Sequence, residues 1–139
     1  MNTRNKYDKM KKRKEDNMIQ FIEYPKCSTC KKAKKWLEEH QIEFQDRDIT
    51  TETPTKEELR NYLKKSQYPI KKFFNTSGNL YKEFSLKEKL DTMSEEEKLE
   101  LLSQHGMLIK RPLVVSDSFI LVGFREKEWN ELLCEKNML

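Results

Sequence analysis

Before Met18 the chain shows no apolar periodicity, and from Met18 onward short apolar runs recur. Met18–Tyr24, MIQFIEY, is rich in Ile and Phe and ends at Pro25, which reads as a buried strand. Ala33, Trp36, Leu37 and His40 then fall at i, i+3, i+4 and i+7. That spacing predicts the apolar face of a helix starting near Ser28. Ile42–Ile49, IEFQDRDI, reads as a second strand. A strand–helix–strand unit with so short a link implies parallel pairing through a right-handed crossover.

Thr55 with Glu58 forms a capping box ahead of a stripe of Leu59, Tyr62 and Leu63, and Pro69 limits that helix. Ile70–Phe74 leans helical, NTSGN marks a turn, and a short helix is predicted around Ser85–Leu90. A second capping box, Ser94 with Glu97, opens a helix through Leu99, Leu101 and Leu102 to about Gln104, and Gly106 fits the stop after it. The runs LVV and FILV bracket Ser116, Asp117 and Ser118 as a hairpin, and REKEWNELL closes the chain with a helix. There are no internal repeats. This order predicts an α/β chain with a mixed four-stranded sheet flanked by helices. It is the arrangement of the thioredoxin-like fold, here with a helical insertion in the middle.

Charge divides the chain at the same point. Residues 1–17 carry seven Lys/Arg and three acids, which accounts for the whole net charge of +4. Residues 18–139 are therefore balanced, and they are read as one domain, of ordinary domain length. A nucleic-acid-binding domain carries its own basic excess, so direct nucleic-acid binding by this domain is not expected. The KKRK run at Lys11–Lys14 is read as part of a basic, disordered extension. No apolar run approaches the ~20 residues that span a bilayer, and the N-terminus lacks the apolar core of a secretory signal. The expectation is a cytoplasmic protein without a membrane partner.

In a reducing compartment a C-x-x-C pair is catalytic, sensing or metal-binding rather than a structural staple. Cys27 falls at the predicted strand-to-helix turn and Cys30 in the first helical turn. Exposed N–H groups and the positive end of the helix dipole favour a thiolate on Cys27. Lys26, Lys31 and Lys32 add positive potential. Cys30, one turn on, is placed to attack a mixed disulfide or sulfenic acid on Cys27. A structural zinc needs four ligands, and the chain has three cysteines, two histidines and no second C-x-x-C. The pair is therefore read as redox-active, with no metal. His40, on the helix's apolar face, reads as packed or capping, His105 as a cap, and Cys134 as a lone thiol without a role.

YPKCSTCKKAKKWLEEHQIEFQDRDI, TPTKEEL, FNTSGNLYKE, LLSQHGMLIKRPLVV and GFREKEW, in this order, resemble the ArsC/Spx family of thioredoxin-like proteins from about Met18 to Leu133. The resemblance implies that Pro112 is a cis-proline facing the cysteines and that Arg111 points into the site. It also implies an anion site of three arginines, of which Arg111 matches one, Arg125 another, and Asn75 stands at the third. ArsC-type arsenate reductases use one cysteine and glutathione, whereas this chain has a pair. Spx-type regulators use the pair as a switch and bind RNA polymerase through the C-terminal domain of its alpha chain. The glycine they use at that contact is Pro69 here.

The leading expectation is a cytoplasmic thiol–disulfide oxidoreductase acting on a thiol/disulfide protein or a small thiol. In it Cys27 attacks, Cys30 resolves and Arg111 tunes the thiolate. No bound cofactor is expected, with glutathione or thioredoxin as reductant. The alternatives are a redox-sensing regulator that binds RNA polymerase and, third, an arsenate reductase.

Overall fold

The computed structural model describes residues 18–135; the basic run of residues 1–17 and the last four residues of the predicted domain lie outside them. The sheet consists of β1 (Ile19–Glu23), β2 (Phe44–Asp48), β3 (Leu113–Val115) and β4 (Ile120–Val122) in the order β2-β1-β3-β4. β1 and β2 are parallel, with Ile19 opposite Phe44. β3 runs antiparallel to β1, with Phe21 opposite Val114, and β4 returns antiparallel to β3. The mixed four-stranded sheet expected from the element order is present.

Period-2 alternation sorts the strand residues between two cores. Ile19, Phe21, Val114 and Leu121 face the helix α1 (Ser28–Glu39), where Ala33, Trp36 and Leu37 are buried, and the C-terminal Trp129 and Leu133. Ile22, Leu113, Ile120 and Val122 face the helical insertion. That insertion contains α2 (Lys56–Ser66), α3 (Asn79–Glu83), α4 (Leu86–Lys89) and α5 (Glu95–Gln104). Both predicted capping boxes are closed: Thr55 and Ser94 accept from the backbone of Glu58 and Glu97, whose carboxylates accept from the capping residues' N–H groups.

β2 is an edge strand with a polar sequence. Arg47 on it makes two parallel hydrogen bonds, 2.8 and 2.9 Å, to the Glu58 carboxylate on α2. Charge on an edge strand blocks pairing with other chains, and here it also fastens the edge to the insertion.

Four local expectations are corrected. α3 has no counterpart among the predicted elements; it follows Gly78, which supplies no side-chain cap. The closing helix is α6 (Glu126–Trp129) running into a wider π turn over Asn130–Glu135. α5 does stop at Gln104, ahead of Gly106, but Gly106 is not left-handed. It is there because a Cβ would lie 2.6 Å from the Ile49 carbonyl oxygen. His40 caps α1 but is exposed rather than part of the apolar face; it stacks on Trp36 at 3.9 Å.

Glu23 ends β1 with a buried carboxylate, 3.3 Å from Lys34, which also holds Asp46 at 2.8 Å. Burial, reinforced by Asp46 and opposed by Lys34, raises Glu23 from 4.5 to about 7. The folded state then holds a proton that the unfolded state releases, so this group's stabilisation is present below pH 4.5 and lost as pH rises through about 7. Asp46 is held below 3.8, outside that window. Urea midpoints measured across the window should fall with rising pH, and Glu23→Gln should flatten the fall; an unchanged slope would remove Glu23 as its source. Gly106→Ala forces a methyl against backbone and should lower unfolding free energy by about 1–3 kcal/mol. A denaturation midpoint equal to that of the parent would contradict the close approach.

Candidate active site

β1 ends at Glu23, and Tyr24, Pro25 and Lys26 make the turn that delivers Cys27 to the start of α1. The Cys27 N–H donates to the Tyr24 carbonyl at 2.9 Å, and the Lys31 N–H donates to the Cys27 carbonyl at 3.0 Å. Cys27 is thus the N-cap residue, in an extended conformation, with its side chain among the unsatisfied first-turn N–H groups. One turn along, Cys30 is fully buried while Cys27 is half-buried, and both thiols are free.

Their environments push them apart. Burial raises the Cys27 thiol, but the Cys30 N–H, the Cys30 thiol, the Thr29 N–H and the Arg111 charge outweigh it and hold Cys27 below its ordinary value of 9.0. These groups favour the thiolate by their partial charges, although none closes a cap hydrogen bond on the neutral sulfur. Burial pushes Cys30 up to about 12, with its bond to Cys27 adding to the rise. Of the charges named, Arg111 acts on Cys27; Lys26, Lys31 and Lys32 are exposed and add little through solvent.

The Arg111–Pro112 peptide bond is cis. Arg111 Nη1 donates to the Met107 and Ile109 carbonyls at 3.2 and 3.3 Å, and its guanidinium carbon lies 5.3 Å from the Tyr24 ring centroid. Its Nε is buried and meets no protein acceptor. The segment around it is tied to the insertion: Phe74 bridges Ile109, the Asn75 N–H donates to Leu108, and the Lys110 N–H donates to Phe73.

These ties create a cleft of about 630 Å³ that brings Cys27, Asn75, Arg111 and Arg125 together. Pro112 is buried beside it. Asn75 accepts from the Ser77 hydroxyl at 3.3 Å. Sequence reasoning missed Lys71, Lys72 and Lys110 on the same wall. The doublet before Phe73 and the lysine before Arg111 were the available signals, but nothing local says that they converge. Pro69 is exposed at the start of the 3-10 turn Ile70–Phe73. His105 packs edge-on against Phe84, and Cys134 packs on the α1 core. Among the described residues no helix is long and apolar enough to cross a membrane.

A strand ending in a C-x-x-C helix, with a cis-proline entering the next sheet strand, defines a thioredoxin-like protein of the arsenate-reductase-like type. The chain belongs to the ArsC family, whose model matches residues 22–132. It is 54% identical over 113 residues to the protein YusI of Bacillus subtilis, covering 81% of this chain and 96% of YusI. The regulatory protein MgsR of the same organism is 33% identical over 123 residues, covering 88% and 96%. A crystal structure of an ArsC family related protein from Bacteroides fragilis superposes with a TM-score of 0.81 at 53% identity, over 84% of this chain and 98% of that one.

Arg111→Gln removes the cation that the thiolate faces. The midpoint of the pH profile for iodoacetamide alkylation of Cys27 should move to higher pH, and the rate at pH 7 should fall. An unmoved midpoint would show that helix N–H groups alone set Cys27.

Proposed function

We propose that the protein is a cytoplasmic thiol–disulfide oxidoreductase in which Cys27 attacks and Cys30 resolves. The observation that carries this reading is the unequal placement of the two thiols: Cys27 is half-buried on the cleft at the start of α1 and Cys30 is fully buried one turn on, which holds the first down and pushes the second up. At neutral pH the outer sulfur is then the nucleophile and the inner one keeps its proton until a mixed disulfide forms. The Cys27 thiolate attacks a substrate disulfide and displaces one thiolate. Cys30 gives up its proton to that leaving group or to water and attacks the Cys27 sulfur. The second substrate thiol leaves, and Cys27–Cys30 is oxidised. Glutathione or thioredoxin returns the pair to dithiol.

A second reading has specific support. MgsR, similar over 88% of this chain, is named a regulatory protein. In that reading the same disulfide is a signal, and the partner is RNA polymerase, met at the C-terminal domain of its alpha chain. Arsenate reduction is the third reading; the cleft gathers Arg111 and Arg125, with Asn75 in place of a third guanidinium.

Turnover of a disulfide substrate with thioredoxin or glutathione recycling should be abolished in Cys27→Ser. Cys30→Ser should accumulate a mixed disulfide visible by mass. Absent turnover, together with capture of that polymerase domain, would overturn the enzyme reading in favour of the regulator. Full activity in Cys27→Ser would overturn the assigned roles.

A further inference from the structure

Among the described residues Glu23 is the one charged side chain buried in the core, 2% exposed, and the thiol–disulfide steps above make no use of it. It ends β1 on the same face as Ile19 and Phe21, the face that packs on α1. Each neighbouring element brings a side chain to it. Lys34 on α1 lies 3.3 Å from its carboxylate, and Asp46 on β2 shares a hydrogen bond with it. Asp48, opposite Glu23 in the β1–β2 register, is taken up by Thr50, whose N–H and hydroxyl both donate to it. On the β3 side, Ile22 stands opposite Leu113, which brings Glu23 level with the uncharged Pro112.

This cluster is tied to the cysteines. The next residue, Tyr24, accepts the Cys27 N–H through its carbonyl at 2.9 Å, and its backbone also bonds the Cys30 sulfur. Lys34 stands one helical turn beyond Cys30. Across the short turn that joins them, the Glu23 carboxyl and the Cys27 sulfur are on the order of 10 Å apart. At an effective permittivity of ~20, a charge at that range moves a titration by roughly one pH unit. The carboxyl also has a route to water, since the Lys34 and Asp46 side chains are 38% and 44% exposed.

We infer that Glu23 is the proton-holding partner of the cysteine pair: its carboxyl keeps a proton while Cys27 is a thiolate and releases it when the Cys27–Cys30 disulfide forms. The inference rests on the thiol–disulfide reading of the pair. A thiolate near Glu23 opposes a second negative charge, and closing the disulfide removes that opposition. Burial, with Asp46, holds the Glu23 carboxyl up at about 7 against Lys34, so the change acts where the group is half-titrated.

The balance closes for a substrate disulfide RSSR. The reduced site holds Cys27 S⁻, Cys30 SH and Glu23 COOH. The two protein sulfurs give up two electrons and join, and RSSR is cleaved to two RSH. One of the two protons comes from Cys30 and the other, by way of solvent, from Glu23. A negative charge leaves Cys27 and one appears on Glu23, so the site keeps its total charge. Glu23 bonds to no reacting atom; it is a positioning residue that acts on the thiols through its charge.

The test titrates the Glu23 side-chain carboxyl carbon by nuclear magnetic resonance, assigned through its own backbone, in the reduced protein and in protein oxidised with diamide. The midpoint should lie lower in the oxidised protein by roughly half a unit to one unit. Equal midpoints, with the disulfide confirmed by mass, overturn the inference and leave the oxidoreductase reading intact. Oxidation that yields no Cys27–Cys30 disulfide overturns both. This measurement needs no variant, so it stands even where a substitution is not tolerated. A second measurement equilibrates the parent and Glu23→Gln against the dithiothreitol couple. The equilibrium constant for oxidation of the parent, divided by that of the variant, should rise about three- to tenfold between about pH 5 and about pH 9, because only the parent has this proton to release. A carboxyl with a merely structural role gives a ratio that does not change with pH, and that result overturns the inference. A ratio that rises in a protein that turns over no disulfide substrate sustains the role of Glu23 and removes the enzyme.

Discussion

β1 is buried on both faces, with Phe21 packed on the α1 side and Ile22 on the side of the helical insertion. Each of these residues is fully excluded from water, and burying one such side chain contributes on the order of 1.5–3 kcal/mol. The strand therefore cannot slip by one residue without exchanging its two cores. This constraint fixes where β1 stops, hence where Cys27 caps α1. It also fixes the antiparallel register with β3, whose first residue follows the cis-proline. Cys27 and Arg111 thus meet because two chain ends are anchored to one immovable strand.

Electrostatics at the junction follow from that placement. The first turn of α1 presents N–H groups that no backbone carbonyl takes up, and Cys27 is the side chain nearest to them. Cys30 sits under the turn, out of water, where a charge is costly. The difference in burial within four residues gives the two thiols opposite environments. Arg111 adds a charge whose own position is held by the Met107 and Ile109 carbonyls and by the Tyr24 ring. That same Tyr24 accepts the Cys27 N–H through its carbonyl, so one residue orients both partners.

Much of this was legible in the chain. The short apolar run MIQFIEY, the 3.6-residue spacing after Ser28 and the two capping boxes each state a local preference that the fold obeys. The cysteine spacing pointed to a redox pair, and the family resemblance pointed to Arg111 and the cis-proline Pro112 beside it. What stayed hidden depends on long-range register. α3 spans only five residues and has no side-chain cap to mark it. The apolar spacing of EWNELL announces a helical turn but not that the hydrogen bonds widen to a π turn. Gly106 looked like a helix stop, and only the approach of the Ile49 carbonyl reveals its use. Nothing local marks Lys71, Lys72 and Lys110, which come to line one cleft where Phe74 bridges Ile109.

Whether the Cys27–Cys30 disulfide is an intermediate or a signal turns on how fast it reopens. A signal must persist, so its attackable sulfur needs to be shielded or surrounded by groups that repel the common reductants. In this chain the outer sulfur lies on an open cleft whose titratable lining, Cys27 itself apart, is cationic. Small cellular thiols that carry carboxylates are drawn toward such a wall, and the attacking thiol is itself richer in thiolate where positive potential is high. The arrangement therefore shortens the life of the oxidised state. An incoming thiol meets Cys27 first because Cys30 is buried, and the inner sulfur, raised to about 12 and so a slow leaving group, departs as it takes up its proton again. Rapid reopening suits repeated turnover, and this is the physical ground on which the catalytic reading stands ahead of the regulatory one.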